Sequence, residues 1–151
     1  MGNIQDGNYN MRLMIGIDPD VKKSGFAIND MDKHRLTDVT CLKFYDLLDG
    51  LKEVHQAGHI VEVKISAGWL IKKSNFHKYK NEYVGMKQAM NVGRNHQVGL
   101  FIVEYCELYH IPFSLVRPTG KVDTGNFNKR TGWQGSTNSD SRDAAMLVYG
   151  Y

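Results

Sequence analysis

The apolar positions of this chain fall first into short strand-like runs and then into runs with helical spacing. Leu13-Met14-Ile15-Gly16-Ile17 is a continuous apolar stretch, and Arg12 to Asp18 reads as a buried strand. Pro19-Asp20 opens a turn that continues to Gly25. Gly25 to Asn29 and Thr37 to Phe44 read as a second and a third strand, and the short turns between the three predict an antiparallel meander. From Tyr45 to Gln56 the period changes: Leu47, Leu48, Leu51 and Val54 recur at helical intervals, and Gly58 supplies the stop. His59 to Ile65 is a fourth strand, entered through a helix and therefore expected to run parallel to the first.

Beyond it, Ser66 to Lys80 is a basic connection without a clear period. Asn81 to His110 reads as one long helix or two abutting ones, weakened at Gly85, Gly93 and Gly99. Pro112 to Val116 is a short fifth strand, Arg117 to Asn138 a long polar loop, and Ser139 to Tyr149 a closing helix. The order β-β-β-α-β-α-β-α predicts an α/β fold. Its mixed five-stranded sheet has three antiparallel strands, then parallel ones, with helices on both faces.

The chain has 151 residues, 42% of them hydrophobic, which suits a single compact domain over residues 12–151 behind a polar, flexible tail over 1–11. No stretch approaches the roughly 20 apolar residues of a membrane helix, and the opening residues do not resemble a secretory signal. Cys41 and Cys106 lie far apart without motif spacing, which predicts free thiols and a cytoplasmic protein. The net charge of +3 decides little, but its distribution is uneven. Between Lys64 and His96 stand Lys64, Lys72, Lys73, Lys78, Lys80, Lys87 and Arg94 against one acid, Glu82. Trp69, Phe76, Tyr79 and Tyr83 are interleaved with them. Such a segment suits a nucleic-acid surface and equally an ordinary solvated face.

Four carboxylates carry the candidate chemistry. Asp18 ends the first strand, Glu62 interrupts the apolar run of the fourth, and Asp140 and Asp143 stand three apart at the start of the last helix. An acid within a strand pattern is costly unless its charge is compensated, and hard oxygen ligands suit Mg²⁺. Each has a plainer reading. Asp18 before Pro19 is a good turn starter, Glu62 suits an exposed edge, and Asp140 and Asp143 complement a helix dipole. Together, in this order, they point to one metal site. The six histidines show no metal-ligand spacing.

Order and acids together resemble the RuvC family of Holliday-junction resolvases, within the ribonuclease-H-like superfamily. Ile15-Gly16-Ile17-Asp18-Pro19 with Ser24-Gly25-Phe26-Ala27-Ile28 is similar to the family's opening motif, although Asp20 stands where the family usually has glycine. Glu62 is similar to its strand acid, Asn91 to Gly99 to its glycine-bearing helix, and Asp140-Ser141-Arg142-Asp143-Ala144-Ala145 to its closing D-x-x-D-A. The resemblance implies a Mg²⁺-dependent endodeoxyribonuclease that cleaves four-way or otherwise branched DNA, as a homodimer. It implies Asp18, Glu62, Asp140 and Asp143 as catalytic residues and ligands of two Mg²⁺ ions, with Mn²⁺ as a substitute. Two such ions activate water and stabilise the leaving 3′ oxygen. Lys64, Trp69, Lys72, Lys73, Lys78, Lys80, Arg94, Lys121, Lys129 and Arg130 are then candidates for nucleic-acid contact. Trp69 suits stacking on an unpaired base or anchoring a loop. A ribonuclease-H-like nuclease on other substrates, and a non-catalytic nucleic-acid binder of the same fold, stay open as alternatives. An actin-like ATP-binding domain needs more chain than 151 residues.

Overall fold

In the computed structural model, residues 10–71 and 82–151 are described. Three strands open the chain: β1 (Leu13–Asp18), β2 (Ser24–Asp30) and β3 (Arg35–Leu42). Helix α1 (Phe44–Gln56) leads into β4 (Ile60–Ser66) and a short 3₁₀ turn, Gly68–Leu70. Helix α2 (Glu82–Leu108) is continuous, with its three glycines inside it. Then come β5 (Phe113–Val116), α3 (Thr124–Thr131) and α4 (Ser139–Val148). The sheet order is β3-β2-β1-β4-β5, with β1–β2 and β2–β3 antiparallel and β1–β4 and β4–β5 parallel. The mixed five-stranded sheet of the sequence reading is therefore present.

Strand alternation divides the core into two layers. Leu13, Ile15 and Ile17 of β1 point to one face, where they meet Leu47 and Leu51 of α1 and Ile102 and Cys106 of α2. Met14 points to the other, with Ala27, Phe127 of α3, and Ala144, Ala145 and Val148 of α4. Helices thus cover both faces.

The predicted polar loop from Arg117 to Asn138 is corrected by α3. The helix is capped at both ends: the Asp123 side chain accepts from the Asn126 amide at 2.8 Å, and Gly132 closes it in the left-handed region at φ 72°. Only Phe127 is buried on it, so apolar periodicity gave no signal.

α4 lies unusually close to the sheet. A Cβ on Gly16 would stand 2.1 Å from the carbonyl oxygen of Ala144, and one on Gly25 2.0 Å from that of Asp140. Both strand glycines are therefore required by contact with the α4 backbone. Gly25→Ala is expected to lower unfolding free energy by about 1–3 kcal/mol, the usual cost of overpacking. A urea midpoint equal to the parent's would show that α4 yields without cost.

Candidate metal centre

Parallel strands in an open α/β sheet gather ligands at their carboxyl ends. Here the ends of β1 and β4 and the loop after β5 surround a cleft of about 340 Å³. Asp18, the last residue of β1, faces the α4 side of the sheet, two pleats beyond Met14. Asp140 and Asp143 enter from the first turn of α4. That turn is held by a capping box: Asn138 accepts from the Ser141 amide at 2.9 Å, and the Ser141 hydroxyl receives the Asn138 amide at 3.0 Å. Arg142 points the other way and donates to the Val122 carbonyl at 2.9 Å and to Thr124 and Thr137. The helix start is thereby tied to the segment before α3, leaving Asp140 and Asp143 for the cleft.

Asp18, Asp140 and Asp143 each offer an oxygen within 4.8 Å of the other two. Burial, with the charges of Asp143 and Asp140, pushes the Asp18 carboxyl from 3.8 up to about 7. Burial and then Asp20 also raise Asp140. Lys121 opposes both shifts, with its ammonium 3.5 Å from Asp143 and donating to Ser139 at 3.0 Å. The donor set fits a hard divalent cation. It is all oxygen and carries excess negative charge, and ligands on opposite sides of Mg²⁺ stand about 4.2 Å apart.

Glu62 does not join them. Parallel pairing aligns Glu62 with Met14, Lys64 with Gly16 and Ile65 with Ile17. Continued by one residue, this register brings Ser66 beside Asp18, and both line the cleft. Glu62 lies four residues back along β4, about 13 Å at strand rise. There it pairs with Lys64 at 3.3 Å and accepts a hydrogen bond from Ser114, which with Lys64 holds its carboxyl below the ordinary range. Of the four expected acids, Asp18, Asp140 and Asp143 converge and Glu62 stands apart from them. Glu62→Gln is expected to cost about 1 kcal/mol of stability through the Lys64 pair and to leave cation binding at the aspartates unchanged. Loss of that binding on calorimetric titration would return Glu62 to the site.

The candidate nucleic-acid residues disperse. Lys64 is drawn inward, paired with Glu62 and 4.9 Å from the centre of the Tyr151 ring, so it is not presented to a ligand. Trp69 is half-buried and packs on the core; a Cβ on Gly99 would meet its ring at 2.4 Å. It anchors the loop after β4 and forms one wall of the cleft. Arg94 is exposed on α2, beside Tyr83, Met86 and Lys87. Lys129 and Arg130 end α3. Of the three cations proposed for the long loop, Lys121 is the one lining the cleft. Lys72, Lys73, Lys78 and Lys80 lie outside the described residues. Sequence reasoning passed over His96 and Asn95, which α2 brings to the cleft wall. His96 sits edge-on to Trp69, with ring centroids 6.0 Å apart. Their approach depends on the sheet–helix packing and left no local signal.

No protein-family model matches this sequence, and no curated protein matches it. Solved structures do. The chain is similar to T. thermophilus RuvC in complex with a Holliday junction substrate, at 15% identity and a TM-score of 0.57, over 91% of this chain and 90% of that one. It is also similar to a further Thermus thermophilus RuvC structure, at 13% identity and a TM-score of 0.53, over 91% of each chain. The chain has the RuvC-type, ribonuclease-H-like α/β fold.

Proposed function

We propose that this chain is a metal-dependent, structure-selective endodeoxyribonuclease that cleaves phosphodiester bonds in four-way or branched DNA. The observation that carries the reading is the convergence of Asp18, Asp140 and Asp143 at the carboxyl ends of β1 and β4, in this fold. Asp18 is the central ligand, because it ends the middle strand and faces both α4 aspartates. Divalent ions bound there, Mg²⁺ or Mn²⁺, would lower the pKa of an attacking water and stabilise the leaving oxygen.

The chain's own residues do the rest. The α4 cap fixes Asp140 and Asp143 against Asp18, and the glycine contacts set their distance. Lys121, whose side chain is 72% exposed, is placed to leave Asp143 and meet a non-bridging phosphate oxygen. Lys72, Lys73, Lys78 and Lys80, with Lys87 and Arg94, are assigned to phosphates of the DNA arms; Trp69 shapes the cleft rather than stacking on a base. Residues 12–151 act as one nuclease domain after a tail over 1–11. A homodimer suits the near two-fold symmetry of a junction. Among the described residues no helix is long and apolar enough to cross a membrane. Cys41 and Cys106 are both free thiols, which suits a cytoplasmic location.

The test is cleavage of a synthetic four-way junction beside linear duplex and RNA–DNA hybrid, with Mg²⁺ or EDTA. Mg²⁺-dependent cutting of the junction alone is expected. Preference for the hybrid would replace the substrate, and binding without cutting would leave a non-catalytic binder.

A further inference from the structure

We propose that Asn95 is a substrate contact: from the α2 wall of the cleft, its side-chain amide donates to a phosphate oxygen of the strand being cut. The inference rests on the nuclease reading above and adds to it a hold on the far side of that strand.

The cleft has two walls because helices cover both faces of the sheet. Asp140 and Asp143, with Lys121 beside them, belong to the α4 wall. The other wall is α2 with the turn after β4, where Trp69, Ile71 and Val92 are apolar. Among the described residues, the polar side chains of that wall are Asn95 and His96. His96 is applied to the turn: its ring is edge-on to Trp69, and a Cβ on Gly68 would stand 2.9 Å from its Nε2. Asn95 is half-buried and held differently. Its Oδ1 accepts from the Val21 amide at 2.8 Å, which ties α2 to the β1–β2 turn.

That bond decides what Asn95 offers. The Val21 N–H is a donor, so the oxygen of the planar amide turns toward it and the nitrogen turns away. The side chain is thereby fixed, with two N–H donors that nothing among the described residues accepts from. It cannot pair bidentately with adenine, which needs the oxygen as acceptor together with the nitrogen as donor. It suits a lone acceptor, and the acceptor carried by every nucleotide of a strand is a non-bridging phosphate oxygen. Such a contact places the strand without reading its sequence. A strand held by the α4 wall alone is free to pivot about the aspartates, and a fixed donor across the cleft removes that freedom.

The experiment is a methylphosphonate scan. In a synthetic four-way junction, one phosphate at a time near the cut is made neutral, and binding is measured in EDTA. Asn95→Asp is the paired variant, because its carboxylate still accepts from the Val21 amide and keeps the turn, while a negative charge replaces the donors. Thermal unfolding checks that it folds. In the parent, one neutralised position is expected to weaken binding about tenfold more than its neighbours. In Asn95→Asp the sign at that position is expected to reverse: removing the phosphate charge relieves a repulsion and strengthens binding. A charge acting only at long range would shift all nearby positions alike. A parent profile without such a position, or a profile in Asn95→Asp that is the same or uniformly offset, would overturn the contact and leave the nuclease reading standing. A parent that neither binds the junction in EDTA nor cuts it in Mg²⁺ would overturn that reading, and this inference with it.

Discussion

Asp18→Asn is expected to reduce Mg²⁺-dependent cleavage of a four-way junction by at least about a thousandfold, the equivalent of some 4 kcal/mol in the barrier. The residue ends β1 within reach of both α4 aspartates, and its oxygen completes the group. Asparagine keeps the shape and removes the charge that holds a cation. Binding of the junction should persist or tighten, because a negative charge facing the phosphates is lost. Parallel gel assays read both quantities, cleavage in Mg²⁺ and mobility shift in EDTA. Wild-type cleavage by the variant would remove Asp18 from the centre.

The same residue makes the metal-free protein sensitive to pH. Its folded-state pKa of about 7 lies above the ordinary 3.8, so near pH 5 the folded chain holds a proton that the unfolded chain has released. That contribution is complete below about pH 4 and is lost as pH rises through 7. The gap between 3.8 and about 7 sets an upper figure of about 4 kcal/mol. Solvent at the cleft mouth reduces it to roughly 2 kcal/mol. Urea midpoints in EDTA should therefore fall between pH 5 and pH 8, and millimolar Mn²⁺ at pH 8 should restore them. Asp18→Asn should lose most of this slope. An equal slope in parent and variant would show that the aspartates do not repel one another as their geometry implies.

Much of this was legible in the chain. Alternation at Leu13, Ile15 and Ile17, the helical spacing of Leu47 and Leu51, and the paired aspartates before Ala144-Ala145 are local signals, and they located the sheet, both helical layers and the three aspartates that converge. Glu62 shows where such signals end. Period-two alternation puts Glu62, Lys64 and Ser66 on one face, which the register makes the side of Asp18. Which of the three reaches Asp18 is decided by the register between β1 and β4. That register is a relation between two strands, which alternation within one strand does not carry. α3 was missed for a related reason: one buried side chain, Phe127, makes no period, and its capping residues look like any polar loop.

The contacts of α4 with Gly16 and Gly25 also separate two kinds of change that the protein can tolerate. Side chains elsewhere in the two core layers can be exchanged for others of similar volume without moving the aspartates, because the height of α4 over the sheet is a backbone-to-backbone dimension. No side chain can be trimmed to make room at these two points; there is none to trim. Variation in the core should thus be buffered from the chemistry, while the two glycine positions admit almost none. Chains sharing this centre are expected to diverge freely in Leu, Ile and Val and to keep glycine opposite Ala144 and Asp140. A relative with a larger residue at either place should show a displaced α4 and a widened gap between its strand aspartate and its helix pair.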